Sequence, residues 1–472
     1  MLFNSFEFLL FLPTVFVLYW FVFNKNLRVQ NSLILVSSYV FYGLWDYRFL
    51  SLIFLSTIVD YFIGLNILKQ DSEKKKLFLW GSILFNLGVL GFFKYSNFFV
   101  DSWVDLFSSV GYEIESVWIL NIILPVGISF YTFQTMSYTI DIYRKEIQPT
   151  KDFISFASFV SFFPQLVAGP IERASNLLPQ ILKKRYFNYS QGVQGLRLIL
   201  WGMFKKVVIA DSLAPIVDDI FSNYQNFGGG TLWLGAIYFS FQIYCDFSGY
   251  SDIAIGTAKL FGFELMSNFK FPYFSRNIGE FWRRWHISLS TWFRDYLYIP
   301  LGGSKAGKWK SIRNIFVIFL VSGFWHGANW TFLLWGLFHS ILFLPSFIFN
   351  TNRNYTSSII GDNTLLPRPK EFFQVGTTFI LITIGWVFFR SETIGDSFVY
   401  LDKMIFEINF PTAKTKGILF LIPLILIEYI IRGNERLNIK VSQNLELLIS
   451  IVLIITVIWF YNQSSGFIYF QF

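Results

Sequence analysis

Stretches of apolar residues, each close to the length that crosses a lipid bilayer, recur along the chain and are separated by polar loops. Because a transmembrane helix needs about 20 mainly apolar residues, the pattern predicts an all-α polytopic membrane protein with about 11 to 12 transmembrane helices. The predicted spans cover residues 6–23, 31–46, 49–67, 77–97, 117–138, 193–216, 231–250, 313–325, 329–349, 372–389, 417–431 and 446–462. The two spans at 313–325 and 329–349 could equally form one broken hairpin.

Composition favours the same class. Hydrophobic residues make up 54% of the 472 residues and charged residues only 14%, and the mean hydropathy is +0.49. This small number of charged side chains cannot cover the surface of a soluble protein. We therefore predict a single membrane domain over residues 1–472. Its expected surroundings are membrane lipids, and no nucleic-acid partner is expected. No basic residue precedes the stretch 6–23 and no small-residue cleavage site follows it, so we expect a retained span and no removed signal peptide.

Basic residues concentrate in alternate loops, as in proteins whose cytoplasmic loops are positively charged. Lysines and arginines cluster at 25–28, 69–76 and 144–151, whereas 101–115 and 218–230 contain none. With the N-terminus outside, this order places the insertion at 259–312 inside. Lys403, Lys414 and Lys416 fall in a loop that the same count places outside, so the predicted orientation extends only to Arg313.

A shorter apolar segment lies at 153–167 and ends at the helix breakers Pro164, Gly169 and Pro170. Its length suits a re-entrant or interfacial segment, because irregular backbone at membrane depth is tolerated only when protein or a cavity surrounds it. A short surface helix is the alternative.

The insertion at 259–312 combines basic and aromatic residues. The pattern from 278 to 296 predicts one amphipathic helix, capped by Asn277, with Arg283, His286 and Ser290 on one face. Arginine suits phosphate groups, and tryptophan suits the membrane interface. The segment therefore predicts either an interfacial helix on anionic lipid or a cytoplasmic opening for a phosphate-bearing substrate such as a coenzyme A thioester.

The three histidines of the chain are His286, His326 and His339. His326 lies in the apolar segment 313–349, where an ionisable side chain is costly and usually functional. A buried, neutral imidazole can remove a proton from a hydroxyl, so we predict a general base; a core histidine bonded to a carbonyl is the alternative. On a continuous helix His339 would lie about 20 Å from His326, so the two are not expected to share a metal.

Several further patterns limit the chemistry. The single cysteine, Cys245, leaves no cysteine pair for a disulfide or zinc. No His-Glu-x-x-His sequence, phosphate-binding glycine loop or nucleophile elbow is present, which counts against a metalloprotease, a P-loop ATPase and an α/β-hydrolase. We therefore expect no metal and no bound cofactor.

Six motifs in order resemble those of the membrane-bound O-acyltransferase family, and most closely its bacterial branch typified by the alginate O-acetyltransferase membrane subunit. They are LPVGISFYTFQ at 124–134, FFPQLVAGP at 162–170, YCDFSGYSD at 244–252, FWRRWH at 281–286, RDYLYIPLGG at 294–303 and WHG at 325–327. The resemblance covers almost the whole chain.

The resemblance implies a bacterial inner-membrane acyltransferase with a tunnel between a cytoplasmic donor opening and an extracytoplasmic acceptor opening. It implies that His326 is catalytic and that His286 occupies the family's second polar position. We predict donor binding by Arg283, Arg284, Trp285, Arg294 and Trp325, with acetyl-CoA or another acyl thioester, such as an acyl carrier protein, as co-substrate. A separate extracytoplasmic SGNH-like acetyltransferase is the implied partner for polysaccharide O-acetylation.

Alternatives remain at this stage. Within the family these are transfer of D-alanine to teichoic acid and O-acetylation of peptidoglycan. Outside it, a transporter or flippase would be expected to show paired halves, which the sequence lacks, and an inactive scaffold would not need His326. Ser322 and Cys245 are weak candidates for carrying an acyl group. The polar cluster Tyr244, Asp246, Ser248 and Asp252 either lines the tunnel or has a structural role, and we expect His339 to be structural.

Overall fold

The structure is a computed structural model, and it describes residues 1–112, 122–167, 169–356, 358–362, 364, 366–407, 409–438, 441–461 and 466–468. Every regular element in these ranges is a helix. The chain forms two compact units: residues 1–192 with 258–265, and residues 193–257 with 266–472. The prediction of one domain over the whole chain stays a prediction.

The first unit is built from nine helices in its described residues. They are α1 (Phe6–Val17), α2 (Leu27–Asp46), α3 (Leu50–Ile67), α4 (Ser72–Leu90), α5 (Ser96–Ser109), α6 (Ile128–Tyr143), α7 (Phe153–Val160), α8 (Phe163–Leu166) and α9 (Ala174–Leu182). Helix α6 packs against α3 and α4, and α7 packs against α2. Gly64 permits part of this packing, because a Cβ there would meet the Tyr138 ring at 2.6 Å.

The second unit contains the remaining helices of the described chain. They are α10 (Tyr189–Met203), α11 (Asp211–Ser222), α12 (Gly229–Leu260), α13 (Ile278–Arg284), α14 (Ile287–Phe293), α15 (Lys308–His326), α16 (Trp330–Ile348), α17 (Pro369–Arg390), α18 (Ile394–Phe406), α19 (Ile418–Ile431) and α20 (Gln443–Phe460). The ends of α10 and α12 extend into the first unit. Helices α15 and α16 form an antiparallel hairpin, and α17 packs on α16.

Five helical stretches in the described residues are long and apolar enough to cross a membrane: Leu27–Ile67, Ser72–Ser109, Trp330–Ile348, Pro369–Arg390 and Gln443–Phe460. The first has 41 residues, about twice the length of one crossing, and contains both α2 and α3. The prediction of an all-α, multi-pass membrane protein is confirmed. The count of 11 to 12 spans and the central tunnel stay predictions.

Two predicted boundaries were wrong. The span at 117–138 begins only at Ile128, because residues 122–127 are not helical and Gly127 has a positive φ of 75°; residues 117–121 lie outside the described residues. The predicted loop at 101–115 is helical as far as Ser109. Three predicted features also include positions outside the described residues: 113–115 of this loop, 462 of the last span, and 168 of the motif at 162–170.

The segment 153–167 is not a surface helix. It contains two short helices, α7 and α8, and Phe156, Phe159 and Phe163 are fully buried. Its break is capped in part by α2, because the backbone N–H of Phe163 donates to Ser38 Oγ over 3.0 Å. The buried, irregular backbone agrees with the re-entrant interpretation, although membrane depth remains a prediction.

The predicted single helix over 278–296 was also wrong. Asn277 does cap α13, by accepting from the Glu280 N–H over 2.8 Å, but the helix ends at Arg284 and α14 starts at Ile287. The backbone groups at the break bond to an upstream segment: Lys270 N–H donates to Arg284 O over 3.0 Å, and Ile287 N–H donates to Asn268 O over 2.9 Å. Arg283, His286 and Ser290 therefore do not share one continuous helical face.

Candidate functional site

His326 is the last residue of α15 and is 4% exposed. The helix stops because Gly327 adopts an extended conformation, and Asn329 starts α16 by accepting from the Thr331 N–H over 3.0 Å. Two glycines let the helices of this hairpin touch: a Cβ at Gly323 would overlap the carbonyl oxygen of Phe332, and one at Gly336 that of Phe319. This close packing of α15 on α16 fixes the position of His326.

Aromatic rings surround the His326 imidazole. Ring centroids lie 5.0 Å away for Trp325, 5.2 Å for Trp335 and 5.3 Å for Phe389. All three neighbours are buried. The imidazole of His326 is thus held among aromatic rings at the end of α15.

His286 lies at the break between α13 and α14, with a positive φ of 41° and 1% exposure. Its Nδ1 is 2.9 Å from Asn268 Oδ1. That oxygen also accepts from the backbone N–H of Ser288 over 3.4 Å, while Asn268 Nδ2 donates to Ser251 Oγ over 3.1 Å. The Ser288 N–H can only donate, so it fixes the amide orientation and makes Nδ1 of His286 the donor.

The other ring nitrogen of His286, Nε2, then carries a lone pair. Among the described residues it has no hydrogen-bond partner. Burial lowers the pKa of His286 to about 3, because desolvation disfavours the imidazolium. His286 is therefore a neutral base at physiological pH.

The three histidines belong to one aromatic cluster. Trp325 lies between two of them, with its ring 5.7 Å from His286 and 5.0 Å from His326. Trp335 lies between His326 and His339, 4.8 Å from the latter. The separation of about 20 Å holds only for a continuous helix; the chain turns back after His326, so the rings of His326 and His339 both contact Trp335.

A basic cavity of about 710 Å³ opens beside α13 and α14. Its lining includes the predicted Arg283, Arg284 and Arg294, together with Arg353 and Arg432. Arg283 donates to the backbone carbonyls of Asn352 and Asn354. The cavity has the charge and hydrogen-bond donors that phosphate groups require.

An apolar cavity of about 580 Å³ adjoins the basic cavity and shares Trp282, Ser290, Arg294, Phe343, Asn352 and Arg353 with it. Its remaining wall is mostly aliphatic and aromatic, and it reaches Ser322 on α15. Ser322 precedes His326 by four residues, so the cavity reaches α15 about one helical turn, or ~6 Å along the helix axis, from His326. A basic cavity that adjoins an apolar one suits a ligand with a charged part and a less polar part.

The two predicted tryptophans lie elsewhere. Trp285 is 1% exposed and packs in the aromatic core, with its ring 4.9 Å from Trp386. Trp325 lies between the two histidines, so it touches the site but lines neither cavity. Their assignment as donor-binding residues stays a prediction.

Sequence reasoning missed several residues that build the site. Asn268 orients His286 from 18 positions upstream, and no motif marks it. Buried Arg276 bonds to Glu280 over 3.0 Å and to Glu371 over 2.9 Å, and donates to the Ser358 carbonyl over 2.9 Å. It thereby ties α13 to the segment after α16. No helical pairing rule marks Arg276, because it lies before Asn277, the residue that caps α13.

The polar cluster Tyr244, Asp246, Ser248 and Asp252 is ion-paired with neighbouring helices. Lys206 Nζ lies 2.8 Å from Asp246, and Lys205 Nζ lies 2.8 Å from Asp252. Lys205 also donates to Ser248 over 2.8 Å, and Tyr244 donates to Glu428 over 2.7 Å. This arrangement agrees with a structural role, since buried charges need partners.

Within the described ranges no group of three or more His, Cys, Asp or Glu side chains has the arrangement to hold a metal ion. Buried Cys245 is a free thiol, and the structure places it on α12 rather than in the lining of either cavity. Ser322, in contrast, does line the apolar cavity.

Fold and site together define a helical, multi-pass membrane protein whose buried histidine lies one helical turn after Ser322, a residue that lines an apolar cavity next to a basic one. The chain belongs to the membrane-bound O-acyltransferase (MBOAT) family, whose sequence model matches residues 103–356. It is therefore an acyltransferase, and an acyl donor is its co-substrate.

Three relatives show the range of the similarity. The chain is 41% identical to the probable alginate O-acetylase AlgI of Pseudomonas syringae, over 87% of this chain and 77% of the relative. It is 42% identical to the protein of the same name from Pseudomonas aeruginosa, over 84% and 73%. It is 36% identical to the peptidoglycan O-acetyltransferase of Helicobacter pylori, over 86% and 80%.

Proposed function

We propose that the protein moves acetyl groups from cytoplasmic acetyl-CoA across the bacterial inner membrane for O-acetylation of an extracytoplasmic polysaccharide. The observation that carries the proposal is the pair of adjoining cavities, one basic and one apolar, of which the apolar one is lined by Ser322, one helical turn before His326. The names of the alginate O-acetylase relatives support the acetyl group and the polysaccharide.

The basic cavity is the proposed site for the phosphates of coenzyme A. Arg283, Arg284 and Arg294 supply positive charge, and Arg353 adds to it at the boundary with the apolar cavity. The acyl end of the donor then extends along the apolar cavity towards Ser322. This orientation brings the thioester to the side of α15 that carries His326.

His326 acts as general base in the proposed reaction. The oxygen of an acceptor hydroxyl attacks the thioester carbonyl carbon while His326 takes the hydroxyl proton. The new C–O bond forms, the C–S bond breaks, and the proton passes from the imidazolium to the departing thiolate. The products are an acetyl ester and free coenzyme A.

His286 is the second proposed catalytic residue. Its neutral Nε2 has no partner among the described residues, and its ring contacts Trp325, which in turn contacts His326. Nε2 can accept a hydrogen bond from the acceptor hydroxyl or from a water beside it. Asn268 holds the tautomer that makes this possible.

The acceptor on the far side is proposed to be a separate extracytoplasmic, SGNH-like acetyltransferase that esterifies the glycan. The 36% identity to a peptidoglycan O-acetyltransferase favours peptidoglycan as the alternative acceptor. A D-alanyl donor for teichoic acid is the other family alternative, and it differs in requiring an aminoacyl carrier protein.

The test compares cells that express the wild-type chain, His326→Ala or no chain, with membrane abundance measured for each variant. Alkali-labile acetate is quantified separately in exopolysaccharide and peptidoglycan. We expect acetate on the exopolysaccharide that depends on His326 at equal protein abundance. Acetate found only on peptidoglycan selects the alternative acceptor, and acetate unchanged by His326→Ala contradicts the mechanism.

A further inference from the structure

Ring contacts of two tryptophans connect the apolar cavity to His326. Trp282 lines the cavity, and its ring lies 5.7 Å from that of Trp335. Trp335 is completely buried and faces His326 edge-on, at 5.2 Å and 86°. An acyl group that approaches His326 from the cavity therefore meets these two side chains.

Trp335 cannot move aside easily. Its ring stacks on that of Trp386 at 5.9 Å and 24°, and it lies 5.4 Å from the ring of Phe389. Protein interiors are packed as densely as organic crystals, so each added methylene on the acyl group would have to displace one of these rings. The packed rings around Trp335 therefore restrict the length of an acyl group that reaches His326.

The same wall carries unsatisfied polar atoms. Among the described residues, the indole N–H groups of Trp282 and Trp335 and both ring nitrogens of His339 have no hydrogen-bond partner. The His339 ring lies 5.0 Å from Trp282 and 4.8 Å from Trp335. The large majority of buried side-chain polar atoms in native proteins are paired, so this cluster beside Trp282, which lines the cavity, indicates that polar atoms of a ligand complete it.

We propose that Trp282 and Trp335, backed by His339, form the end wall of the donor cavity and that Trp335 limits the acyl group to a short chain such as acetyl. The polar atoms of the wall hold the thioester end of the donor, and the ring of Trp335 excludes longer chains. This inference rests on the proposed role of the cavity as the acyl-donor site.

The test measures acyl transfer in membrane vesicles supplied with acetyl-, propionyl-, butyryl- or hexanoyl-CoA. The readout is the ratio of butyryl to acetyl transfer. Trp335→Leu is expected to raise this ratio about tenfold or more, since one methylene in an apolar pocket is worth about 10- to 200-fold. Trp335→Phe should raise it less. Trp201→Leu, at a buried tryptophan on α10 that stacks on Phe204, is the matched control and should leave it unchanged.

An unchanged ratio in Trp335→Leu, or an equal rise in Trp201→Leu, overturns the proposal. If Trp335→Leu has no turnover, the relative affinity of the detergent-solubilised protein for butyryl- and acetyl-CoA replaces the rate ratio, with the same expected rise and the same contradicting result. Absence of His326-dependent transfer from any acyl-CoA by the wild type would instead refute the proposed function.

The polar part of the wall has its own variant. His339→Phe keeps an aromatic ring but removes both nitrogens, so it is expected to raise the KM for acetyl-CoA while leaving the acyl ratio unchanged. An unchanged KM at unchanged abundance would show that the polar cluster does not hold the donor.

Discussion

The Nδ1 of His286 lies 2.9 Å from the side-chain oxygen of Asn268, and this bond sets both the tautomer and the charge of the imidazole. Asparagine is neutral, so burial keeps the pKa of His286 at about 3. A carboxylate in the same place would favour the imidazolium instead.

Asn268→Asp should therefore raise the pKa of His286. The wild-type residue stays neutral as the pH falls from 8 to 6, whereas the variant binds a proton in this window and loses its free Nε2. Between pH 8 and pH 6, we expect the rate of acyl transfer by Asn268→Asp to fall by a factor about ten times larger than the factor for the wild-type protein. One pKa unit corresponds to a tenfold change in the protonation ratio.

The pH dependence of the initial rate of acetyl transfer in membrane vesicles checks this prediction. Asn268→Ala is the control, because it loses orientation of His286 without adding charge and should be impaired equally at both pH values. An Asn268→Asp profile parallel to that of wild type would show that His286 does not act through its neutral form.

Gly323 fixes the contact between α15 and α16. A methyl group there would overlap the Phe332 carbonyl, so Gly323→Ala should separate the hairpin that positions His326 and destabilise the protein by about 1–3 kcal/mol. Thermal unfolding in detergent and acetyl transfer at equal abundance measure the two effects. Gly88→Ala is matched to it, because a Cβ at Gly88 has no neighbour within 4 Å; if both variants behaved alike, the hairpin contact would not matter.

Arg294 and Arg353 line both cavities. Replacing both by glutamine should raise the KM for acetyl-CoA about fivefold, in line with ~1 kcal/mol for solvent-exposed ion pairs, and leave kcat nearly unchanged. The wild-type KM should also increase with salt, and the double variant should be less sensitive to it. Lys74→Gln, at an exposed position on α4, is the control; a similar KM for the double variant and this control would place the phosphates elsewhere.

Glu280 is fully buried and bonds to both Arg276 and Arg284. Glu280→Gln removes the charge that compensates buried Arg276, so we expect a loss on the order of 3 kcal/mol in stability, seen as a lower unfolding temperature. The control, Arg48→Gln, breaks an exposed pair with Asp46 and should change little. Equal unfolding temperatures for Glu280→Gln and wild type would mean that the pair contributes no net stability.

Much of the fold was predictable because apolar length and helical periodicity are local signals. The hairpin predicted as 313–325 and 329–349 is observed at Lys308–His326 and Trp330–Ile348. His326 was recognisable because an ionisable residue is rare in such a segment. The sequence did not show that His286 belongs to the aromatic cluster around His326. The amphipathic pattern of residues 278–296 continues through His286 and predicted an uninterrupted helix there.

The helix break at His286 depends on backbone hydrogen bonds to Asn268 and Lys270. A local sequence pattern cannot predict hydrogen-bond partners that lie so far upstream. The same limit applies to Lys205 and Lys206. Their carboxylate partners, Asp252 and Asp246, lie on a later helix, and the sequence indicated only that a polar cluster existed.

The central claim is that His326 removes a proton from the acceptor hydroxyl. The most direct measurement supplies radiolabelled acetyl-CoA to the cytoplasmic face of membrane vesicles containing wild type, His326→Gln or Trp201→Leu, and counts acetyl ester on the opposite face. We predict that His326→Gln binds acetyl-CoA with near wild-type affinity but loses at least about 100-fold in transfer rate, within the range of general-base catalysis, while Trp201→Leu retains transfer. Transfer by His326→Gln at the wild-type rate would contradict the account.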